Sequence, residues 1–180
     1  MTENGCLKAI AKWLEEEVLY EYRLPSPRKA GDHPFHIFIG WLPEKKGKDD
    51  EDYPFCLVRP VDGTAGMDGT AMSVDIVLGV YAQDVSGGCE YVLNVQRRLL
   101  NALGTLRERR LADKYALSLP VTWEMPDDQP YPVWVAVVHT EWTYHSPIMP
   151  FFDDADWGRP VSVDVEMRQS GATGSFTNGE

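Results

Sequence analysis

The chain has 180 residues, of which 43% are hydrophobic and 11% aromatic, and 28 acidic against 17 basic side chains give it a net charge of −11. That is one domain's worth of chain with enough apolar material for a full core, which excludes disorder of the whole, and its negative charge excludes gripping nucleic-acid phosphates or anionic lipid as the main task, because both need Lys and Arg in excess. No run approaches the roughly 20 apolar residues of a membrane helix, Met1–Lys12 lacks a signal-peptide core, and Cys6, Cys56 and Cys89 form neither a disulfide framework nor a CxxC zinc site, so cytoplasmic synthesis is expected.

In chain order, Leu7, Ile10, Ala11, Leu14 and Val18 recur at helical spacing and predict a helix over residues 4–20, with Asn4 as its N-cap. Three prolines and a glycine mark 25–34 as a loop. His36–Trp41 reads as a short strand, and the charged segment Glu44–Asp52 as an exposed loop. Phe55–Arg59 is a compact apolar strand. Gly63, Gly66 and Gly69 punctuate a turn before Ala71–Ala82, where Met72, Val74, Ile76, Leu78 and Val80 alternate with a mixed face. Together these predict a β-hairpin arm whose tip, Asp62 to Thr70, is a mobile loop. Gly87 and Gly88 close that section, and Val92, Val95, Leu99 and Leu103 predict a second helix over about Cys89–Gly104. Leu117–Met125 and Val133–Tyr144 read as strands joined by a Pro-rich turn. Val161, Val163, Val165 and Met167 alternate in a late strand behind a Pro- and aromatic-containing strap, and 169–180 reads as a disordered tail. The fold class is α+β: an antiparallel sheet packed against two main helices, with a long hairpin arm and a C-terminal extension. The domain plan is a 1–146 domain, a 147–168 strap and strand, and a 169–180 tail.

Reactive chemistry is sought without success. The glycines at 63, 66 and 69 are followed by a strand and by no Gly-Lys-Ser/Thr, so they are not a phosphate loop. His139, Glu141 and His145 share a strand face, but at ~3.3 Å per residue the two histidines stand about 20 Å apart, too far to share an ion. Asp32, His33 and His36 lack a fourth ligand nearby. No nucleophile elbow is present, Cys56 sits in an apolar strand, and the adjacent Asp127 and Asp128 belong to a turn. No catalytic residue, cofactor or metal is therefore expected. One charge feature stands out: Arg97 to Lys114 holds six basic and two acidic residues in an otherwise acidic chain. It reads either as a solvated helix end, with cations at the negative pole, or as a contact surface for an acidic patch on a neighbouring copy.

Three segments carry a resemblance: Pro54-Phe-Cys-Leu-Val-Arg-Pro60; Val74-Asp-Ile-Val-Leu-Gly-Val-Tyr81 with Asp84 and Gly87-Gly88; and Asp127-Asp-Gln-Pro-Tyr-Pro-Val-Trp134 running into His139-Thr-Glu-Trp142. Over residues 5–146 the chain resembles the tail terminator, or tail completion, proteins of long-tailed phages and prophages. The resemblance implies a small α/β fold with an antiparallel sheet and two flanking helices. It implies a structural protein that assembles with itself into a ring, often a hexamer, on the finished tail tube, stops tube growth and offers a surface to the head-tail connector protein. The partners implied are further copies, the tail tube protein and the connector, with DNA passing through unbound in sequence terms and no membrane. The place implied is the virion tail, assembled in the bacterial host cytoplasm. An acidic protein suits a channel through which DNA must slide. The loop 44–52 and everything after Pro147 depart from a minimal member. The interface residues expected are Gly63, Gly66, Met67 and Gly69 in the arm, Arg97, Arg107, Arg109 and Arg110 in the basic stretch, and Phe151, Phe152, Trp157, Val161, Val163 and Val165 in the strap and late strand. A small metal-binding or hydrolytic domain, or a regulatory module that binds a protein, are the rival classes.

Overall fold

The computed structural model describes residues 2–27, 30–43, 53–66 and 69–145. Helix α1 spans Glu3–Trp13 and is capped by Thr2, whose Oγ1 accepts the Gly5 N–H at 3.1 Å, so the cap lies two residues before the expected Asn4. From Leu14 to Val18 the helix widens into a π turn. That turn buries Leu14 and Val18 together and leaves Glu15, Glu16 and Glu17 in water. Its end is closed from across the core, where Arg98 Nε donates to the Val18 carbonyl.

The expected loop at 25–34 is partly paired. Strand β1, Arg23–Pro25, runs antiparallel to β2, Asp32–Pro34, as a short separate ribbon. Leu24 and Phe35 bury at its base, so the prolines occupy ribbon ends where a missing N–H costs nothing.

The main sheet has six strands in the order β3-β4-β5-β8-β7-β6. Strand β3 is His36–Ile39, β4 Phe55–Gly66, β5 Gly69–Tyr81, β6 Arg110–Leu111, β7 Tyr115–Glu124 and β8 Val133–Tyr144. All neighbours are antiparallel except β3 and β4, which are parallel, so the sheet is mixed where a purely antiparallel one was expected. Residues 40–54, which join β3 to β4, exceed the dozen or so that a parallel crossover needs. Met72, Val74, Ile76, Leu78 and Val80 of β5 all bury on one face, as their alternation requires, and meet Ala136, Val138 and Trp142 of β8 there. Cys6, Leu7 and Ile10 of α1 and Leu14 of the π turn complete the layer, each fully buried aliphatic side chain contributing about 1.5–3 kcal/mol of transfer free energy. Trp142 keeps its indole N–H satisfied on Thr140 Oγ1 at 2.9 Å, and Thr140 in turn donates to the Val74 carbonyl.

Helix α2, Val85–Thr105, begins a turn earlier than expected. Asp84 caps it, its Oδ2 accepting the Gly87 N–H at 2.7 Å. Gly87 and Gly88 thus open the helix and do not close the preceding section. Val92, Val95, Leu99 and Leu103 face the sheet. After Leu106, a 3-10 turn at Arg107–Arg109 leads into β6, and Ala112 and Asp113, with φ of +51° and +56°, make the tight hairpin turn into β7.

Candidate interaction surfaces

The helices cover one face of the sheet. The other face can be read row by row from the strand registers. The first row is Leu57, Val77, Val137 and Glu124, and the second is Arg59, Asp75, His139 and Thr122. The third is Asp62, Ser73, Glu141 and Ser118. The fourth is Thr64, Ala71, Thr143, Ala116 and Arg110. Apolar surface therefore passes through an ionic row and a polar row to a floor of small side chains.

Asp75 organises the second row. It is 7% exposed, and its two oxygens are both engaged: Oδ2 accepts from Arg59 at 2.6 Å and Oδ1 faces His139 Nδ1 at 2.7 Å. An ionised carboxylate only accepts, so Nδ1 carries the proton, and Nε2 points to Glu124 Oε1 at 3.8 Å. Arg59, Asp75 and His139 come from three adjacent strands, so this charge-assisted chain ties β4, β5 and β8 together above the core. Among the described residues no three His, Cys, Asp or Glu side chains are grouped to hold a metal ion. Burial pushes the Cys6 thiol up to about 12 and raises Cys56 further, which keeps both in the unreactive thiol form.

The fourth row is the floor of an open trough of ≈ 580 Å³, rimmed by Arg110, Lys114 and His145 with Asp113 beside them. On the helix side of the arm, Glu3 and Leu7 of α1 line a groove of ≈ 430 Å³ together with Val61, Gly63, Ala65 and Met72. A third groove, ≈ 590 Å³, lies between α2 and β7 and is lined by Leu100, Leu103, Leu117, Leu119, Pro120 and Val121.

The expected site residues fall into three groups. Gly63, Gly66 and Gly69 do lie in the arm, but its tip is a ladder and not a loop: Gly63 pairs with Met72, Thr64 with Ala71, Ala65 with Thr70 and Gly66 with Gly69. The glycines permit close approach, since a Cβ on Gly63 would stand 2.9 Å from the Ala71 carbonyl oxygen and one on Gly69 3.0 Å from that of Tyr144. Arg97 is exposed midway along α2, whereas Arg107, Arg109 and Arg110 lie beyond the helix, in the 3-10 turn and β6. The last turn of α2 itself carries no basic residue, so the basic stretch does not neutralise a helix pole. Met67, Phe151, Phe152, Trp157, Val161, Val163 and Val165 lie outside the described residues, as do the loop 44–52, the strap, the late strand and the tail.

Sequence reasoning missed two surface features. Asp75 and His139 are 64 positions apart and meet only through register. The exposed apolar side chains Trp41, Leu119 and Trp123 mark opposite edges of one sheet, which no local pattern reveals. Compared with protein-family models and with curated proteins, the chain matches none.

Proposed function

We propose that this chain is a structural assembly protein of the tail-terminator kind, which forms a ring on the end of a phage tail tube, ends tube growth and presents a surface to the head connector. The observation that carries this reading is that the residues of the three resembling segments pack on one another. Phe55 crosses Gly79, Arg59 pairs with Asp75 and Asp75 with His139. Asp84 caps the helix at Gly87, and Trp134 covers Gly88 while donating to the Ala82 carbonyl. Gln129, from the third segment, holds the β7–β8 turn by accepting the Val135 N–H at 2.6 Å and donating to the Pro126 carbonyl. Segments that carry the resemblance separately thus meet in one continuous structural unit, as a shared fold requires.

An open strand edge supports the same reading. The arm's β4 edge is unpaired among the described residues beyond Val58, and a free backbone edge is a ready template for a neighbouring strand. The reading places the chain in the virion tail after assembly in the host cytoplasm. It is tested by adding the purified protein to polymerising tail tube protein and measuring tube lengths and end views by electron microscopy. Rings at tube ends and a narrowed length distribution are expected; an unchanged distribution with bare ends overturns the reading.

A further inference from the structure

One row of the sheet runs from edge to edge on the helix-covered side. Its members, from the registers, are Ile39 of β3, Val58 of β4, Ile76 of β5, Val138 of β8 and Trp123 of β7. The three central residues are fully buried, whereas Ile39 is 40% and Trp123 48% exposed. The apolar layer is therefore cut off at both ends. Four strand spacings of ~4.8 Å put those ends about 19 Å apart.

The two ends have different shapes. At β3, Gly40 (φ +83°) turns the chain off the strand, and Trp41 follows with 78% of its surface exposed, beside exposed Leu42. At β7, the ladder to β8 breaks between Ser118 and Thr122. The break leaves Leu119 exposed over the ≈ 590 Å³ apolar groove whose other wall is Leu100 and Leu103 of α2. One edge projects an aromatic side chain and the other is hollow. A copy cannot use its own Trp41 to fill its own groove across the width of the sheet.

We propose that the α2–β7 groove receives Trp41 of a second copy of this chain, joining copies head to tail through opposite sheet edges. Charge complements shape. Exposed Arg97 lies one turn before the groove residue Leu100 along α2, and Arg107, Arg109, Arg110 and Lys114 follow in the turn and edge strand beyond the helix. On the projecting edge, among the described residues, exposed acidic side chains are Asp62, next to Val61, and Asp32 in the ribbon that leads into β3; that ribbon also carries exposed Arg23, while Arg59 is already paired with Asp75. Strand directions also agree. β3 and β4 run together, and each step through β5, β8 and β7 reverses, so β7 of one copy meets β3 of the next antiparallel. Such an interface is heterologous and repeats, giving a closed ring where the rotation per copy closes. It deepens the ring reading above and rests on it only for the number of copies.

The test uses two full-length variants at exposed positions, Trp41→Ala and Leu119→Asp, each verified as folded by circular dichroism, with masses measured by light scattering after size exclusion. Wild type is expected to form an oligomer. Each variant alone should weaken self-association at least about thirtyfold, as loss of a buried aromatic anchor does. Mixed together, they should form a heterodimer of about 41 kDa and nothing larger, from one intact Trp41 and one intact groove, given 20.3 kDa per copy. A wild-type monomer at every concentration, or Leu119→Asp that still self-associates, overturns the proposal; the latter is the outcome for a symmetric Trp41-to-Trp41 contact. Wild-type rings that cap tubes while both variants also ring would remove this interface and leave the function reading intact. Complementing variants with no effect on tubes would do the reverse.

Discussion

Phe55 and Gly79 face each other across β4 and β5, and the Phe55 ring occupies the space a Gly79 side chain would need, its Cε1 standing 2.1 Å from where a Cβ would be. The pair is one packing unit: the aromatic covers the backbone that the glycine leaves bare. Gly79→Ala is expected to cost about 1–3 kcal/mol by overpacking, and Phe55→Ala about 3–5 kcal/mol by emptying a buried site. The double variant Gly79→Ala/Phe55→Ala should cost at least about 0.5 kcal/mol less than the sum. Urea titration of the four proteins measures this, and strict additivity would contradict the unit.

A similar contact fixes the start of α2. A Cβ on Gly88 would meet Trp134 Nε1 at 2.0 Å, and that nitrogen donates to the Ala82 carbonyl at 3.2 Å. Alanine normally favours a helix by about 1 kcal/mol over glycine. Gly88→Ala should nevertheless destabilise, by about 1–3 kcal/mol, and shift the tryptophan emission as the indole is displaced. Stabilisation by this substitution would show that the helix start and the indole do not compete for space.

Asp75 holds Arg59 and His139 from a nearly buried position. Asp75→Asn should cost about 1–3 kcal/mol, because a hydrogen bond to a charged partner is lost while that partner stays. Replacing both ends, as Asp75→Leu with Arg59→Met, should recover much of the loss. Denaturation midpoints decide it: a double variant as unstable as the sum of the singles rules out the pairing as the source of the effect.

The thiols give a chemical readout of the core. Cys6 and Cys56 are buried and Cys89 is half-exposed. Native protein should react at one thiol per chain with a disulfide reagent at pH 8, and at three after unfolding. The folded-state values of Cys6 and of Tyr144, the latter raised by burial first and by Glu3 next, lie at about 12. Unfolded thiols and phenols titrate near roughly 8.5 and 10. At alkaline pH the unfolded chain therefore holds fewer protons, so this stability is complete below about pH 8.5 and is lost as pH rises toward about 12. A flat unfolding free energy from pH 8.5 to 11 would refute this.

The legible parts of the fold were those with local periodicity. Val74, Ile76, Leu78 and Val80 announce β5 because every second side chain enters the core. Leu7, Ile10 and Leu14 announce α1 in the same way. Gly63, Gly66 and Gly69 were misleading, since glycine marks both a turn and a close strand approach, and only pairing with β5 distinguishes the two. Gly87 and Gly88 misled because of what surrounds them: the capping Asp84 carboxylate stands where a Gly87 Cβ would go, and the Trp134 indole where a Gly88 Cβ would go. The basic stretch was legible as a charge count but not as a position, because the chain leaves α2 at Thr105 and places Arg107, Arg109 and Arg110 on a turn and an edge strand, apart from Arg97 and Arg98 on the helix. The ionic row and the two cut ends of the apolar row depend on register between distant strands, which no window of sequence contains.

The irregularity in β4 has a consequence for how this arm can vary. Pro60 pairs with Val74 and Asp62 with Ser73, so Val61 has no counterpart on β5 and is a surplus residue. Loss of one residue at this point leaves every facing pair above and below it unchanged, whereas gain of one demands a second irregularity or inverts the faces of the tip. Tolerance of length change in the arm is thus one-sided. Because the surplus residue also bends and twists its strand, deleting it straightens the arm and redirects its tip without dismantling the ladder. The aim of the arm and the fold of the arm are separate heritable traits, and a single codon stands between them.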